Sequence, residues 1–172
     1  MHTASHNRAP LLVATLLAAV GIGFPVIVRP LPRLVYNGSA SAPLGFYRLV
    51  PEPAVARGDL VLAHLPGQAA ALAADRHYLP LSVPVVKRIA ALAGDLVCAK
   101  SDIVTINHHD AARALQADVE GRPLPAWHDC RPLHSGEILL LMADVPASFD
   151  GRYFGPIPAT AIIGRLVPLW TW

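Results

Sequence analysis

Apolar positions form one long run near the N-terminus and many short runs after it. Residues 11–28 contain eighteen positions without a charge. As a helix they would extend about 27 Å, close to the thickness of the hydrocarbon core of a bilayer. We therefore predict a transmembrane anchor at 11–28. A cleaved secretory signal is the alternative, but this run is longer than a usual signal core, and prolines and Arg33 follow where a small-residue cleavage site is expected.

After residue 34 the apolar runs are short and are separated by proline and glycine. The runs that read as strands are 60–64, 96–99, 103–106, 137–142 and 161–166. The chain has 17 scattered prolines, which argue against long helices. The pattern predicts a short N-terminal segment at 1–10, the anchor, and a mainly β domain at 34–172.

Composition narrows the possible chemistry. The net charge is only +2, so no basic surface for nucleic acid is predicted. Cys98 and Cys130 are too few for a zinc site, and they are either two thiols or, in an oxidising compartment, one disulfide. The pairs His108–His109 and His128–Asp129 supply no ligand set at a familiar spacing. We therefore predict exposed loops at these histidines and no metal site.

The segment after the apolar run carries two serines close to a proline and a glycine. Pro43 fixes its own φ and disfavours helix at the residue before it, and Gly45 allows backbone angles that other residues avoid. Ser39 and Ser41 are therefore expected on a stiff extended or turning segment. A serine held in this way is a candidate nucleophile that requires a base.

Lys87 is the candidate base, because it lies within the apolar stretch 83–93. If its amine is buried, desolvation lowers the pKa, and a neutral amine can accept a proton from a serine hydroxyl. The alternative is a lysine that points outward from a strand and keeps its charge in water.

Three motifs in order resemble those of the signal peptidase family of serine–lysine proteases, and in particular its conjugative-transfer, TraF-type branch. The motifs are Ser41-x-Pro43-x-Gly45, Lys87-Arg88 with Gly94-Asp95 after it, and Ser148-x-Asp150-x-Arg152-Tyr153-x-Gly155. The two-residue spacing from Ser41 to Pro43 is that of the transfer branch. The resemblance covers the chain from about residue 37 to its C-terminus.

The resemblance implies a role for each of these residues. Ser41 is expected to be the nucleophile and Lys87 the general base, with the Lys87 amine within hydrogen-bond reach of the Ser41 hydroxyl. Ser39 matches the family hydroxyl that helps to stabilise the oxyanion, and it is also the competing nucleophile. Ser148 matches the serine that orients the lysine. A structural ion pair near the site is implied for Asp150 and Arg152.

The same resemblance implies a fold, a location and a substrate. We expect residues 1–10 in the cytoplasm, an anchor in the bacterial inner membrane, and a signal-peptidase-like β catalytic domain in the periplasm. This domain is expected to process pilin precursors for the conjugative secretion machinery, and to need no cofactor. Cleavage can be coupled to cyclisation in this branch. Trp170 and Trp172 are expected at the lipid interface or packed on the domain. The alternative functions are a general leader peptidase and a non-catalytic secretion scaffold. If the domain is exported to an oxidising compartment, a Cys98–Cys130 disulfide is favoured over two free thiols.

Overall fold

The computed structural model describes residues 9–28, 33–51 and 54–172, with side chains in the first range described as far as Phe24. The chain divides into two units, residues 1–32 and 33–172, and each is described by itself. The helices are α1 (Ala9–Val28), α2 (Gly67–Asp75) and α3 (Gly151–Phe154). The strands are β1 (Leu34–Asn37), β2 (Gly45–Val50), β3 (Leu60–Ala63), β4 (Val85–Ala91), β5 (Leu96–Lys100), β6 (Ile103–Ile106), β7 (His109–Arg113), β8 (Asp129–Pro132), β9 (Glu137–Leu141), β10 (Ile157–Pro158) and β11 (Ile162–Thr171).

The long apolar run forms α1, the one helix of the described part of unit 1–32. Among the described residues, however, no helix is both long enough and apolar enough to cross a membrane. The transmembrane anchor predicted at 11–28 is therefore not supported. The N-terminal segment predicted at 1–10 lies outside the described residues except for its last two positions.

The second unit is mainly β and contains two antiparallel sheets. The larger sheet has seven strands in the order β1-β2-β11-β3-β4-β9-β10, and the smaller has four in the order β7-β6-β5-β8. β4 therefore lies inside the large sheet, between β3 and β9. This arrangement agrees with the predicted mainly β fold.

Burial along the strands follows their place in the sheets. β2 alternates between buried and exposed residues, so one of its faces packs on the core and the other meets solvent. β9 is an almost continuous apolar run and is buried on both faces. One cluster of buried side chains joins β4 and β9 to the small sheet through residues such as Ala91, Val97 and Leu139. The small sheet is therefore packed onto the large one rather than hinged away from it.

Two strand predictions differ from the structure in instructive ways. The last strand was predicted to stop near residue 166, but β11 continues to Thr171, with a register shift at Pro168 where it pairs with β2. A bulge at this position accommodates the proline inside a strand. The polar segment 107–120 has no strand pattern in its sequence, yet it contributes β7.

Candidate active site

The loop between β1 and β2 carries two serines whose hydroxyls are in contact. Ser39 Oγ and Ser41 Oγ lie 2.9 Å apart, within hydrogen-bond distance. The far end of this loop is tied down because the Tyr47 hydroxyl, on β2, donates to the carbonyl oxygen of Pro43 at 2.6 Å. The loop is thus held in one conformation by contacts that the core residue Tyr47 supplies.

Gly45 begins β2 directly after the serine loop and lies against β11. Its φ is +137°, and a Cβ at this position would lie 2.1 Å from the carbonyl oxygen of Trp170. Only glycine fits such a close approach of two backbones at a positive φ. The contact fixes the point at which the serine loop rejoins the sheet.

Lys87 is buried in the middle of the large sheet. The residue is 3% exposed, and its Nζ donates to Ser148 Oγ at 2.8 Å. Burial lowers the pKa of the Lys87 amine from 10.5 to about 8, with smaller effects from the Asp150 carboxylate, which raises it, and from Arg152, which lowers it. Roughly a tenth of the amines are then neutral at about pH 7. The structure therefore excludes the outward-pointing alternative for this lysine.

The serines and the lysine line one cavity, but the expected direct hydrogen bond between them is absent. A cavity of about 360 Å³ is lined by Ser39, Ser41, Lys87 and Ser148, together with apolar side chains of β4, of α2 and of the connection between β7 and β8. Within the described ranges, the Lys87 amine bonds Ser148, and the Ser41 hydroxyl bonds Ser39. The structure therefore has no direct Lys87–Ser41 hydrogen bond among the described residues, and the predicted closeness of the two groups stays a prediction.

Asp150 and Arg152 form a fully buried, bidentate ion pair below the lysine. Arg152 Nε lies 2.8 Å from one carboxylate oxygen of Asp150, and Nη2 lies 3.0 Å from the other. The remaining guanidinium N–H groups donate to the carbonyl oxygens of Arg113, Pro146 and Met142. All five N–H donors of Arg152 are thus used, which compensates for the removal of its charge from water.

The connection between two strands of the small sheet lies beside the cavity and lines part of it. We call residues 114–128, which connect β7 to β8, the pocket arm. Near one end of the arm, the backbone N–H of Leu115 donates to the Tyr153 hydroxyl at 3.1 Å. Near the other, Trp127 Nε1 donates to the carbonyl oxygen of Gly151 at 2.9 Å. Both ends are therefore attached to α3, next to Arg152.

The middle of the pocket arm is attached to α2 and the turn after it. Tyr78 donates its hydroxyl proton to the Asp118 carboxylate, and Arg76 Nη2 donates to the carbonyl oxygen of Pro123 at 2.8 Å. Val119, at the tip of the arm, is 94% exposed and yet lines the cavity. The pocket arm thus forms one wall of the cavity that contains the serines and the lysine.

Asn37 is a site residue that the sequence did not reveal. It is buried at the end of β1, and its side-chain amide bonds Ser39, Ala42 and Pro43 in the serine loop. In the sequence it precedes Gly38, and Asn-Gly is an ordinary turn signal. The one available signal was its position two residues before Ser39.

The other predicted features lie away from the cavity. Cys98 and Cys130 face each other across β5 and β8 and form a disulfide. His108, His109 and His128 are exposed. Among the described residues, no group of three or more His, Cys, Asp and Glu side chains is placed to hold a metal ion.

Comparison with known proteins gives one family. The family model described as signal peptidase, peptidase S26, matches residues 7–171. A plasmid transfer protein TraF from Escherichia coli is 34% identical over 171 residues, which cover 93% of this chain and 91% of that protein. A conjugal transfer protein TraF from Agrobacterium fabrum is 32% identical over 172 residues, which cover 92% of this chain and 88% of that protein.

A solved structure of a signal peptidase I from Enterococcus faecalis V583 is also similar. It shares 18% sequence identity with a TM-score of 0.40, covering 69% of this chain and 100% of that one. The assignment rests on the sequence comparisons, because the family model spans almost the whole chain and the two relatives are each about nine-tenths covered. The chain therefore belongs to the signal peptidase family of peptidases, peptidase S26.

Proposed function

We propose that this peptidase uses Ser41 as its nucleophile and Lys87 as its general base. The observation that carries the proposal is the burial of Lys87 in the cavity that Ser41 lines, with a pKa of about 8. A buried amine with a lowered pKa is costly for stability and is suited to accept a proton near neutral pH. A non-catalytic scaffold has no need of this arrangement, and we therefore favour an enzyme.

The reaction begins when the neutral amine of Lys87 removes the hydroxyl proton of Ser41. One N–H of the amine donates to Ser148, which leaves the nitrogen lone pair free to accept that proton. Ser41 Oγ bonds to the scissile carbonyl carbon, and the oxyanion accepts hydrogen bonds from the Ser39 hydroxyl and the Ser41 backbone N–H. The carbon–nitrogen bond then breaks, and the Lys87 ammonium returns its proton to the leaving amine.

The acyl-enzyme on Ser41 has two possible acceptors. Water gives a free carboxylate and restores the Ser41 hydroxyl, which completes hydrolysis. An amine gives a new amide bond, and if that amine is the N-terminus of the same substrate, the product is cyclic. In both routes Lys87 takes a proton from the acceptor and returns it to Ser41 Oγ.

The substrates that we propose are pilin precursors that are matured for conjugative transfer. This step rests on the two relatives named as plasmid or conjugal transfer proteins, which match this chain over nine-tenths of its length. The spacing of Ser41 and Pro43 supports the same branch. The second candidate is a general signal peptidase, which the family model favours. The two candidates are distinguished by testing whether the protein also cleaves several unrelated precursors.

We also propose that unit 33–172 works in the periplasm, at the bacterial inner membrane and beside the conjugative secretion machinery. The Cys98–Cys130 disulfide supports an oxidising compartment. Contact with lipid is supported by the exposed rings of Trp170 and Trp172, since tryptophan is common at membrane interfaces. Spheroplasts treated with an external protease test the location, because a periplasmic domain would be degraded while cytoplasmic markers survive.

The activity is tested by the intact mass of a candidate pilin that is co-expressed with the full chain. The comparison variant is Ser41→Ala, and the matched control is Ser135→Ala, which changes an exposed serine that does not line the cavity. A trimmed pilin with the wild type and with Ser135→Ala, but not with Ser41→Ala, is the expected result.

The mass also separates the two acceptors. A trimmed product lighter than the linear peptide by one water means that cleavage ended in ring closure, whereas the full linear mass means hydrolysis. If Ser41→Ala processed the precursor as the wild type does, Ser41 would not be the nucleophile. Ser39 would then be the next candidate.

A further inference from the structure

The Asn37 side chain is the most heavily bonded polar group beside the serines. The residue is 5% exposed. Its Nδ2 donates to the carbonyl oxygens of Ser39 at 3.0 Å, Ala42 at 3.0 Å and Pro43 at 3.1 Å. Its Oδ1 accepts from the backbone N–H of Ser39 at 3.2 Å and from the Ser39 hydroxyl at 3.0 Å. One neutral amide thus holds both the backbone and the side chain of Ser39.

These contacts fix the direction of the hydrogen bonds. The three carbonyl oxygens around Nδ2 require the NH₂ group at that position, so the other end of the amide is the oxygen, which can only accept. The single proton of the Ser39 hydroxyl therefore points to Asn37 Oδ1. Because that proton is used, the Ser41 hydroxyl must be the donor in the 2.9 Å contact between the two serines.

The result is a chain of hydrogen bonds from Ser41 to Ser39 to Asn37. In this resting state the Ser41 hydroxyl donates to Ser39, and the Lys87 amine donates to Ser148. When the carbonyl group of a substrate becomes an oxyanion, the Ser39 proton turns from Asn37 Oδ1 to the oxyanion. Ser39 keeps its place during this change, because its backbone N–H stays bonded to Asn37.

We propose that Asn37 is a positioning residue for catalysis: it holds Ser39 where the Ser39 hydroxyl can donate to the oxyanion, and it accepts the hydrogen bond of that hydroxyl between turnovers. This inference rests on the proposed function. Asn37 itself touches no reacting atom. Its effect on the rate is therefore transmitted through Ser39, and this makes it separable from a general effect on folding.

The test is a double-mutant cycle of Asn37→Ala and Ser39→Ala, each made in the full chain. The measured quantities are kcat and KM for a fluorogenic peptide that spans the cleavage site of the candidate pilin. Removal of an oxyanion donor lowers kcat by about 100-fold or more. We expect a similar loss of kcat from Asn37→Ala, with KM changed by less than about threefold, because binding of the substrate ground state does not use this hydroxyl.

The double variant decides between positioning and a merely structural role. If Asn37 acts through Ser39, then adding Asn37→Ala to Ser39→Ala costs only a few-fold more, far less than it costs in the wild type. If Asn37 only holds the loop, Ser41 is displaced in both backgrounds, and the loss is equally large in both. Equal losses, or an Asn37→Ala variant with full activity, would overturn the proposal.

A matched control uses Asn107, whose side chain also bonds backbone at a turn. Asn107 Oδ1 accepts from the backbone N–H of Leu96 at 2.8 Å, and Asn107 does not line the cavity. We expect Asn107→Ala to lower the temperature of unfolding and to leave kcat within about twofold. The proposed function has its own contrary outcome, in which neither the wild type nor Ser41→Ala cleaves the peptide. That result would overturn the proposed function, and the inference about Asn37 with it.

Discussion

Lys87→Met removes a buried amine whose pKa the fold lowers from 10.5 to about 8. The difference between these pKa values corresponds to about 3 kcal/mol. Below pH 8 the amine is charged in both the folded and the unfolded chain, and the folded chain is destabilised by that amount. Between pH 8 and 10.5 the folded chain has lost the proton and the unfolded chain still holds it, so the free energy of unfolding rises with pH.

The Lys87→Met variant lacks this amine, so its free energy of unfolding does not show this rise with pH. It also leaves the Ser148 hydroxyl without its partner, which costs about 1 kcal/mol at every pH. We therefore expect Lys87→Met to be about 2 kcal/mol more stable than the wild type at about pH 7, and about 1 kcal/mol less stable at about pH 11. The order of the two stabilities thus reverses as the pH rises.

Urea titrations of both chains across this pH range measure the effect. The control is Lys100→Met, which also removes a lysine from a strand, but one that is exposed at the end of β5, and the reversal is expected for Lys87→Met alone. A stability difference between Lys87→Met and the wild type that is the same at every pH would refute the reasoning. It would mean that the fold does not lower the pKa of the amine.

The same titration predicts the pH dependence of cleavage. If neutral Lys87 is the base, kcat/KM of the wild type rises with pH and has its midpoint near 8, because kcat/KM reports the pKa of the substrate-free enzyme. A rate that is flat from about pH 6 to about pH 9 would contradict the role of this amine.

Three further predictions concern stability. Arg152→Leu leaves Asp150 as a buried carboxylate without its ion-pair partner, and we expect the free energy of unfolding in urea to fall by about 3–5 kcal/mol. A fall of less than about 1 kcal/mol would refute the buried Asp150–Arg152 ion pair. Replacement of Cys98 and Cys130 by serine should remove about 2–4 kcal/mol, measured as a lower temperature of unfolding, and an unchanged temperature would contradict this. Gly45→Ala should cost at least about 2 kcal/mol, because the new Cβ meets the backbone of β11 at a positive φ, and wild-type stability would contradict the contact.

The strands that the sequence predicted correctly are those with the simplest burial. β3, β5, β6 and β9 are short apolar runs between turn residues, and their predicted bounds differ from the observed ones by one residue at most. β1 and β8 are short edge strands with exposed residues, so their burial leaves little pattern in the sequence. β7 is held by its pairing with β6, which a local pattern cannot reveal.

The site was predictable in its residues, in the Lys87–Ser148 contact and in the Asp150–Arg152 ion pair, but not in the hydrogen bonds of Ser41. The resemblance led to Ser41, Lys87 and Ser148, and the structure places all three at one cavity. Alternation could not decide whether Lys87 is buried, because its neighbour Val86, which points to the opposite face of β4, is buried as well. The partner of Ser41 was also beyond reach, since it depends on Asn37, which orients Ser39 across the loop.

The disulfide has a consequence for a cut backbone. Cys98 and Cys130 close a covalent ring that contains β6, β7 and the whole pocket arm. The exposed tip of the arm, around Val119 and Gly121, is the kind of loop that proteases cut. A single cut there would leave two fragments joined through sulfur, so a nicked molecule would migrate as an intact chain on a denaturing gel until a reductant was added. One wall of the cavity could thus survive in place after its backbone had been broken.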